Sequence, residues 1–492
     1  MRNNVFCILT IFVWSLSLIG QDSGSTPKFD LDSTILEDTW RPVISMPWIT
    51  YGSDFGGVTG WHTSGLSSDS RVDPLFDRLE QNGVAAVVWF LFGDGRGALT
   101  FDPSGYVTGV VPSFWSDYHA VLAAAERHHL RVVWVLTDFE IGMPVQVERG
   151  VQKRGRADLL EDPAKRRSLI KEALEPILKD KTASSQVAGW IVINEPEHLL
   201  RSGYVSDSAV RAFVTETAAE IKHYHPEQPV GLANTDLASM IQFSDLESLD
   251  FLEFHHYGDK LPPPAAFVQD YLRSRVNGNA RSKPIFIGEF NWNFPPGMDL
   301  GRFVLTCREF GYSGVWPWSL KNRLNPTGST GTDTDPQFPL LGTYAKSMLA
   351  VKQGSTDMPD RKRVQKWAIR ELQTQLLPEV KRRVEALGGI PASHEAEVKE
   401  NREWAIRCQN ELSKSSEAMK ATQKEARQDN GQIRLIQDNI DKQKRDLATA
   451  TERARMHSYL AHEASAELTW LEVLEQRLAD ATAFAAAVDI DR

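Results

Sequence analysis

Eight apolar runs separated by amphipathic stretches constrain the fold of this chain more than any other feature of its sequence. They are VISMPWITYG (43–52), VAAVVWFLF (84–92), LRVVWVLTDF (130–139), WIVINEP (190–196), PVGLAN (229–234), FLEFHHYG (251–258), PIFIGEF (284–290) and GVWPWSL (314–320). Runs of this length, bounded by turn residues, read as strands buried on both faces. Helical patterns fill the gaps, over residues 72–82, 115–129, 163–180, 207–224, 264–275, 299–310 and 342–351. The fifth unit is the weakest, with a short strand and a short helix at 236–247. Alternating strands and helices pair in parallel through crossovers, and eight such units are the number that closes a barrel. The expected fold class is therefore α/β: a (β/α)8 TIM barrel over residues 43–355, followed by an α-helical coiled-coil region.

The tail has a different composition, charged and rich in Ala and Gln. A helical connector is expected over 356–392, with a helix from Asp360 to Leu387, a kink at Pro378 and a stop at Gly388-Gly389-Ile390-Pro391. A second helix should start near Ser393 and run to Gln428. After an Asp429-Asn430-Gly431 turn, a third should run from Gln432 to about Ala485. Ile433, Ile440, Leu447, Ala454, Ala461 and Leu468 recur every seven residues, and Val398, Ala405, Leu412, Met419 and Ala426 do so in the preceding helix. Sustained heptads argue for a coiled coil. The turn favours an antiparallel hairpin over 393–485, with a helical bundle packed on the barrel as the alternative. No acid, base or nucleophile motif lies beyond residue 356, so the tail is expected to serve self-association or a protein partner and to take no part in chemistry.

Charge and cysteine content narrow the function. A net charge of −10 leaves no basic footprint for nucleic acid. Arg2, the apolar stretch Val5 to Ile19 and the small residues Ser15 and Ser17 fit a signal peptide over 1–20, with a linker over 21–42. Export follows as the expectation, to a secreted, periplasmic or cell-surface location. Once Cys7 is removed, Cys307 and Cys408 remain far apart, which fits neither a disulfide framework nor zinc. No cofactor and no metal are expected. His128-His129 and His223/His225 fall at helix C-termini, where histidine caps carbonyls. Gly93-x-Gly95-x-Gly97 lacks the helix opening of a phosphate loop and reads as an ordinary loop.

Two of the eight runs end on glutamate. Glu195 closes IVINEP and Glu289 closes PIFIGEF, each at the C-terminal tip of a buried strand. The chemistry of a TIM barrel sits on that face. A lone strand-end glutamate is ordinary surface charge, whereas two on one face can aim two carboxyl groups at one glycosidic bond. The chain has 14 tryptophans. Most belong in a core, but an indole face also stacks on the C–H face of a pyranose. Trp292, Trp61 and Trp115 fall on predicted loops or loop edges, with Trp292 the best sugar platform.

In these motifs the barrel resembles the retaining glycoside hydrolases of clan A, most nearly the family-five cellulases and mannanases. Asn194-Glu195-Pro196 matches the family's fourth-strand Asn-Glu-Pro, and His255-His256-Tyr257 its sixth-strand His-x-Tyr. Gly288-Glu289-Phe290 matches the seventh-strand Gly-Glu-Phe, and Trp318-Ser319 the eighth-strand tryptophan, with Trp316 as second choice. The resemblance implies an oligo- or polysaccharide substrate, a β-linked glycan of mannan or glucan type, and cleavage by double displacement. Glu289 would be the ionised nucleophile, with Tyr257 donating a hydrogen bond to it. Glu195 would be the acid/base, its pKa raised by the charge of Glu289. Asn194 would hold the sugar 2-hydroxyl, while His255, Trp318, Trp292 and Arg96 would complete the substrate site. The chain departs from the family pattern where Gly93-Asp94-Gly95-Arg96 and Asp138-Phe139-Glu140 follow the second and third strands. A transglycosylase would use the same residues. A catalytically inactive glycan-binding barrel is the reading that loss of either glutamate would favour.

Overall fold

The structure is a computed structural model. It describes residues 34–59, 65–68, 72–182, 184–258, 260–275, 282–291, 294, 298–320, 338–353, 368, 370–424 and 430–487. Eight parallel strands form one sheet in sequence order: β1 (Val43–Ser45), β2 (Ala86–Phe90), β3 (Arg131–Asp138), β4 (Val187–Asn194), β5 (Val230–Asn234), β6 (Leu252–His256), β7 (Ile285–Phe290) and β8 (Gly314–Pro317). A parallel bridge from Ser45 to Trp318 and a bond from Leu320 N–H to the Ser45 carbonyl close β8 onto β1. All eight apolar runs are strands of this barrel.

Successive side chains of a strand point to opposite faces, and two separate cores follow from that. Ala86, Val88 and Phe90 of β2 join Val133 and Val135 of β3 and Trp316 of β8 in the smaller cluster, which fills the barrel. Val87 and Trp89, with Val132 and Trp134, belong to the larger cluster between strands and helices. Trp316 is wholly buried inside the barrel, so the second-choice tryptophan of strand eight is a core residue. The surrounding helices are α1 (Val72–Gln81), α2 (Ser113–Arg127), α3 (Glu197–Arg201), α4 (Asp207–Tyr224), α5 (Leu237–Phe243), α6 (Ala265–Arg275), α7 (Leu300–Glu309) and α8 (Phe338–Gln353).

The helix expected over 163–180 is broken into short pieces, with a π-helical turn over Leu169–Leu174 just before Pro176. The tail repeats this: a π turn over Leu372–Leu376 precedes Pro378 and α9 (Leu377–Leu387). Proline supplies no N–H and crowds the preceding turn, and a looser π turn accommodates both.

The next helix, α10 (Ile390–Lys424), begins earlier than expected because Pro391 fits its first turn, where the missing N–H is no loss. The last, α11, spans Asn430–Ala487. His394 lies against His457 and Ser415 against Asn439, so α10 and α11 run antiparallel. The outer part of α11 pairs with α10. Its inner part packs on the barrel, with Trp470 against Tyr271 of α6 and Arg477 near Asp270. The tail is thus docked against the barrel rather than held apart from it.

Candidate active site

The two glutamates reach one cleft because their strands are irregular at the tip. Phe254 pairs with Ile287 but His255 pairs with Glu289, leaving Gly288 as an extra residue in β7. In β4, Ile191 pairs with Gly231 and Asn194 with Ala233, so β4 also gains a residue just before Glu195. A bulge of this kind re-aims the side chains that follow it. Glu195 itself has φ of +47°, a left-handed conformation that strains a residue with a Cβ. Its N–H is fixed by the Ala233 carbonyl at 2.9 Å.

His255, buried on β6, joins the pair. Its Nδ1 is 2.6 Å from Glu195 Oε1 and 3.2 Å from Glu289 Oε2. The three groups offer atoms that all lie within 4.8 Å of one another. His198 Nε2, from the first turn of α3, meets the other oxygen of Glu195 at 3.3 Å. The Tyr257 hydroxyl donates to Glu289 Oε2. Asn194 is buried and pairs in the ladder with Asp138, the last residue of β3.

Protonation follows from these neighbours and reverses the sequence-based expectation for the free site. Burial pushes the Glu289 carboxyl well above the ordinary range, and the charge of Glu195 pushes it further. Burial also acts upward on Glu195, but His255 and His198 outweigh it and hold that carboxyl well below its ordinary value. His255 and His198 thus favour the anion on Glu195, while burial and that anion disfavour one on Glu289.

Beneath this layer lies Glu253, two residues before His255 and on the same side of β6. Its Oε1 is 3.9 Å from His255 Nε2, while that Nε2 and Glu253 Oε2 are both buried with no hydrogen-bond partner. Burial alone pushes this carboxyl up to about 8. A Cβ at Gly288 would stand 1.6 Å from Glu253 Oε1, so the glycine before Glu289 makes room for that acid.

The aromatic wall also has an unforeseen member. Trp318, half-buried at the end of β8, has its N–H bonded to the Phe290 carbonyl at 2.8 Å. Its ring lies edge-on to Trp48 at 5.9 Å, and Trp48 in turn packs on Tyr51 at 4.6 Å. The Arg96 guanidinium forks onto the buried Asp94 carboxylate, at 2.9 Å from Nε, and lies over the Tyr51 ring. This fork braces the loop after β2 and sets Arg96 against the Tyr51 end of the aromatic wall. Trp292 and Trp61 lie outside the described residues. Trp115 sits in the first turn of α2, half-buried against Phe114 and Tyr118, and is a packing residue. His128 and His129 meet the acids Glu80 and Asp73 instead of helix carbonyls, and His225 meets the Leu178 carbonyl at 2.8 Å.

Sequence reasoning passed over His198, Glu253 and Trp48. His198 was legible as the residue three after Glu195, one helical turn away. Glu253 was legible as the residue two before His255, on the same strand face.

No family model matches the chain. It is 26% identical over 355 residues to a mannan endo-1,4-β-mannosidase of Mytilus edulis, covering 62% of this chain and 91% of that protein. It is 28% identical over 321 residues to a mannan endo-1,4-β-mannosidase of Cryptopygus antarcticus, covering 57% and 80% respectively. Among solved structures, the β-mannanase from blue mussel superposes with a TM-score of 0.48 at 22% identity, over 65% of this chain and 94% of that one.

Proposed function

We propose that this clan A glycoside hydrolase, which stands close to the family-five mannanases, cleaves β-1,4-linked mannan by double displacement. The mannan specificity rests on the two mannosidase relatives. The observation that carries the mechanism is the meeting of Glu195 and Glu289 at the tips of β4 and β7, oxygens within 4.8 Å and bridged by His255. Such closeness leaves no room for a water between the carboxyls, as inversion needs, and suits a retaining pair.

In the first step a Glu289 oxygen attacks the anomeric carbon while Glu195 gives its proton to the leaving oxygen. The glycosidic C–O bond breaks and a glycosyl ester forms. In the second step Glu195 takes a proton from water, whose oxygen displaces Glu289 and releases the sugar with its original β configuration. The first step needs the proton on Glu195, whereas the free site favours it on Glu289. Bound substrate supplies the bias. Positive charge developing at the anomeric carbon favours an anion opposite it, adding to the Tyr257 hydrogen bond that Glu289 already accepts in the free site. Trp318 and Trp48 offer the apolar faces on which a mannosyl ring stacks.

Incubation with a 2-deoxy-2-fluoro-β-mannosyl fluoride should trap the ester, and peptide mapping should find the label on Glu289. NMR of fresh mannan digests should show the β-anomer of the reducing end first. Label on another carboxyl, or first release of the α-anomer, would refute the mechanism. Failure to digest mannan while digesting β-glucan would refute the substrate.

A further inference from the structure

We propose that Tyr459 and Glu463 of the C-terminal helix α11 are positioning residues for Glu195, acting through the short helix α3. The inference rests on Glu195 being the acid/base of the reaction above.

Helix α3 begins two residues after Glu195 and controls it twice. The His198 N–H bonds to the Glu195 carbonyl at 3.2 Å, and the His198 ring meets the Glu195 carboxylate at 3.3 Å. The orientation of α3 therefore sets both the left-handed backbone at Glu195 and the imidazole against its side chain. Five residues make little more than one turn, and so short a helix does not hold itself. Leu199 and Leu200 anchor its inner side in the core. Phe139 packs on the His198 ring at 4.3 Å, and α11 holds the C-terminal end and outer side of the helix.

Glu452, Met456, Tyr459 and Glu463 follow one another at steps of four, three and four, which places them on one stripe of α11. At one end of the stripe, Gly203 closes the turn after α3. A Cβ there would stand 2.1 Å from the Glu452 carbonyl and 3.2 Å from Met456 Cβ, so the two backbones lie flush. At the other end, Arg201, the last residue of α3, forks onto the Glu463 carboxylate, with Nε 2.8 and 3.1 Å from its oxygens. The same guanidinium reaches Asp236 at 3.0 Å and Ser239 at 3.2 Å, tying α3 and α11 to the start of α5. Between them on the stripe, Tyr459 is buried. Glu197 is the first residue of α3 and wholly buried. Its Oε1 and the Tyr459 hydroxyl both lack a hydrogen-bond partner. Arg477 docks the same helix on Asp270 of α6, well away from α3.

A bidentate guanidinium–carboxylate pair fixes direction as well as distance. Loosening it should move the Glu195 carboxyl relative to the leaving oxygen while leaving Glu289 and the sugar-binding walls in place. Misplacement by about 1 Å can lower a rate by as much as about 100-fold. A tail that only covered the barrel would have no such selectivity.

The test uses full-length Glu463→Gln, Tyr459→Leu and Arg477→Gln, with Glu195→Ala run in parallel. Each is assayed on a mannooligosaccharide, whose leaving group needs a proton, and on 2,4-dinitrophenyl β-mannobioside, whose leaving group does not. Melting temperatures accompany every measurement. Glu463→Gln should lose about tenfold in kcat/KM on the oligosaccharide and less than about twofold in kcat/KM on the aryl substrate, since that ratio reports only the step in which the leaving oxygen departs. Tyr459→Leu, which removes the buried ring from the stripe, should show the same split more weakly. Arg477→Gln should show none. Equal losses on both substrates, in step with the melting temperature, would reduce α11 to a stabilising strut and overturn the proposal. So would no loss on either substrate. If Glu195→Ala itself shows no split, the acid/base assignment falls and this proposal with it. If Glu195→Ala splits and Glu463→Gln does not, only the positioning role falls.

Discussion

Replacing Glu253 by Gln should make the fold less sensitive to alkali, by an amount the structure sets. The carboxyl is wholly buried, and burial raises it from an ordinary 4.5 to about 8. Between those two values the unfolded chain releases a proton that the folded chain retains, so stability falls as pH rises and levels off above about 8. At about 1.36 kcal/mol for each pH unit, this one group removes about 0.8 kcal/mol at pH 5 and about 4 kcal/mol at pH 8. Glutamine has nearly the same shape and does not titrate. The variant should therefore gain roughly 3.5 kcal/mol on the native protein between pH 5 and pH 8, and comparing the two cancels the other titrating groups. For a barrel of about 300 residues that is roughly 5 °C in melting temperature. Urea unfolding at several pH values measures it, followed by the fluorescence of the buried Trp89, Trp134, Trp190 and Trp316. Parallel stability curves for the two proteins would refute the reasoning, because they would mean that the buried carboxyl is already ionised, or solvated, in the fold.

Two further outcomes follow from the cleft. Glu195→Ala should slow substrates with poor leaving groups by several hundredfold and activated aryl mannosides far less, and the alkaline limb of its pH–rate profile should flatten. A uniform loss across leaving groups would assign Glu195 to substrate positioning. Trp318→Ala should lower activity on mannan by ten- to a hundredfold with a shift of only a few degrees in melting temperature, since the ring is half-buried. Unchanged turnover per folded molecule, together with a large loss of stability, would make it a packing residue.

The barrel was legible because each strand is a long apolar run, and a run buried on both faces needs no long-range information to be recognised. The two glutamates were legible for the same reason, as charges that end such runs. Their protonation was not. It depends on His255 and His198 approaching one carboxylate from another strand and from the following turn, and spacing along the chain carries no distances. The bulges at Gly288 and before Asn194 were hidden too, since an extra residue shows only against its partner strand. The docking of α11 escaped notice for a further reason. Hydrophobic periodicity in α11 picks out buried positions such as Ala450, Ala464 and Leu471, while the stripe facing α3 is built partly from Tyr459 and Glu463, which such a pattern scores as solvent-facing.

The close fit of Gly288 over the Glu253 carboxyl binds two positions on neighbouring strands into one mutational unit. No single step can give the residue before Glu289 a side chain without evicting an acid that has nowhere to go, for the space above that acid is the glycine itself. Divergence at this pair must follow an order: Glu253 has to shrink before Gly288 can grow. Each change is then expected to be strongly non-additive with the other. An engineer who wishes to reshape the floor of this cleft would begin on β6 and only afterwards touch β7.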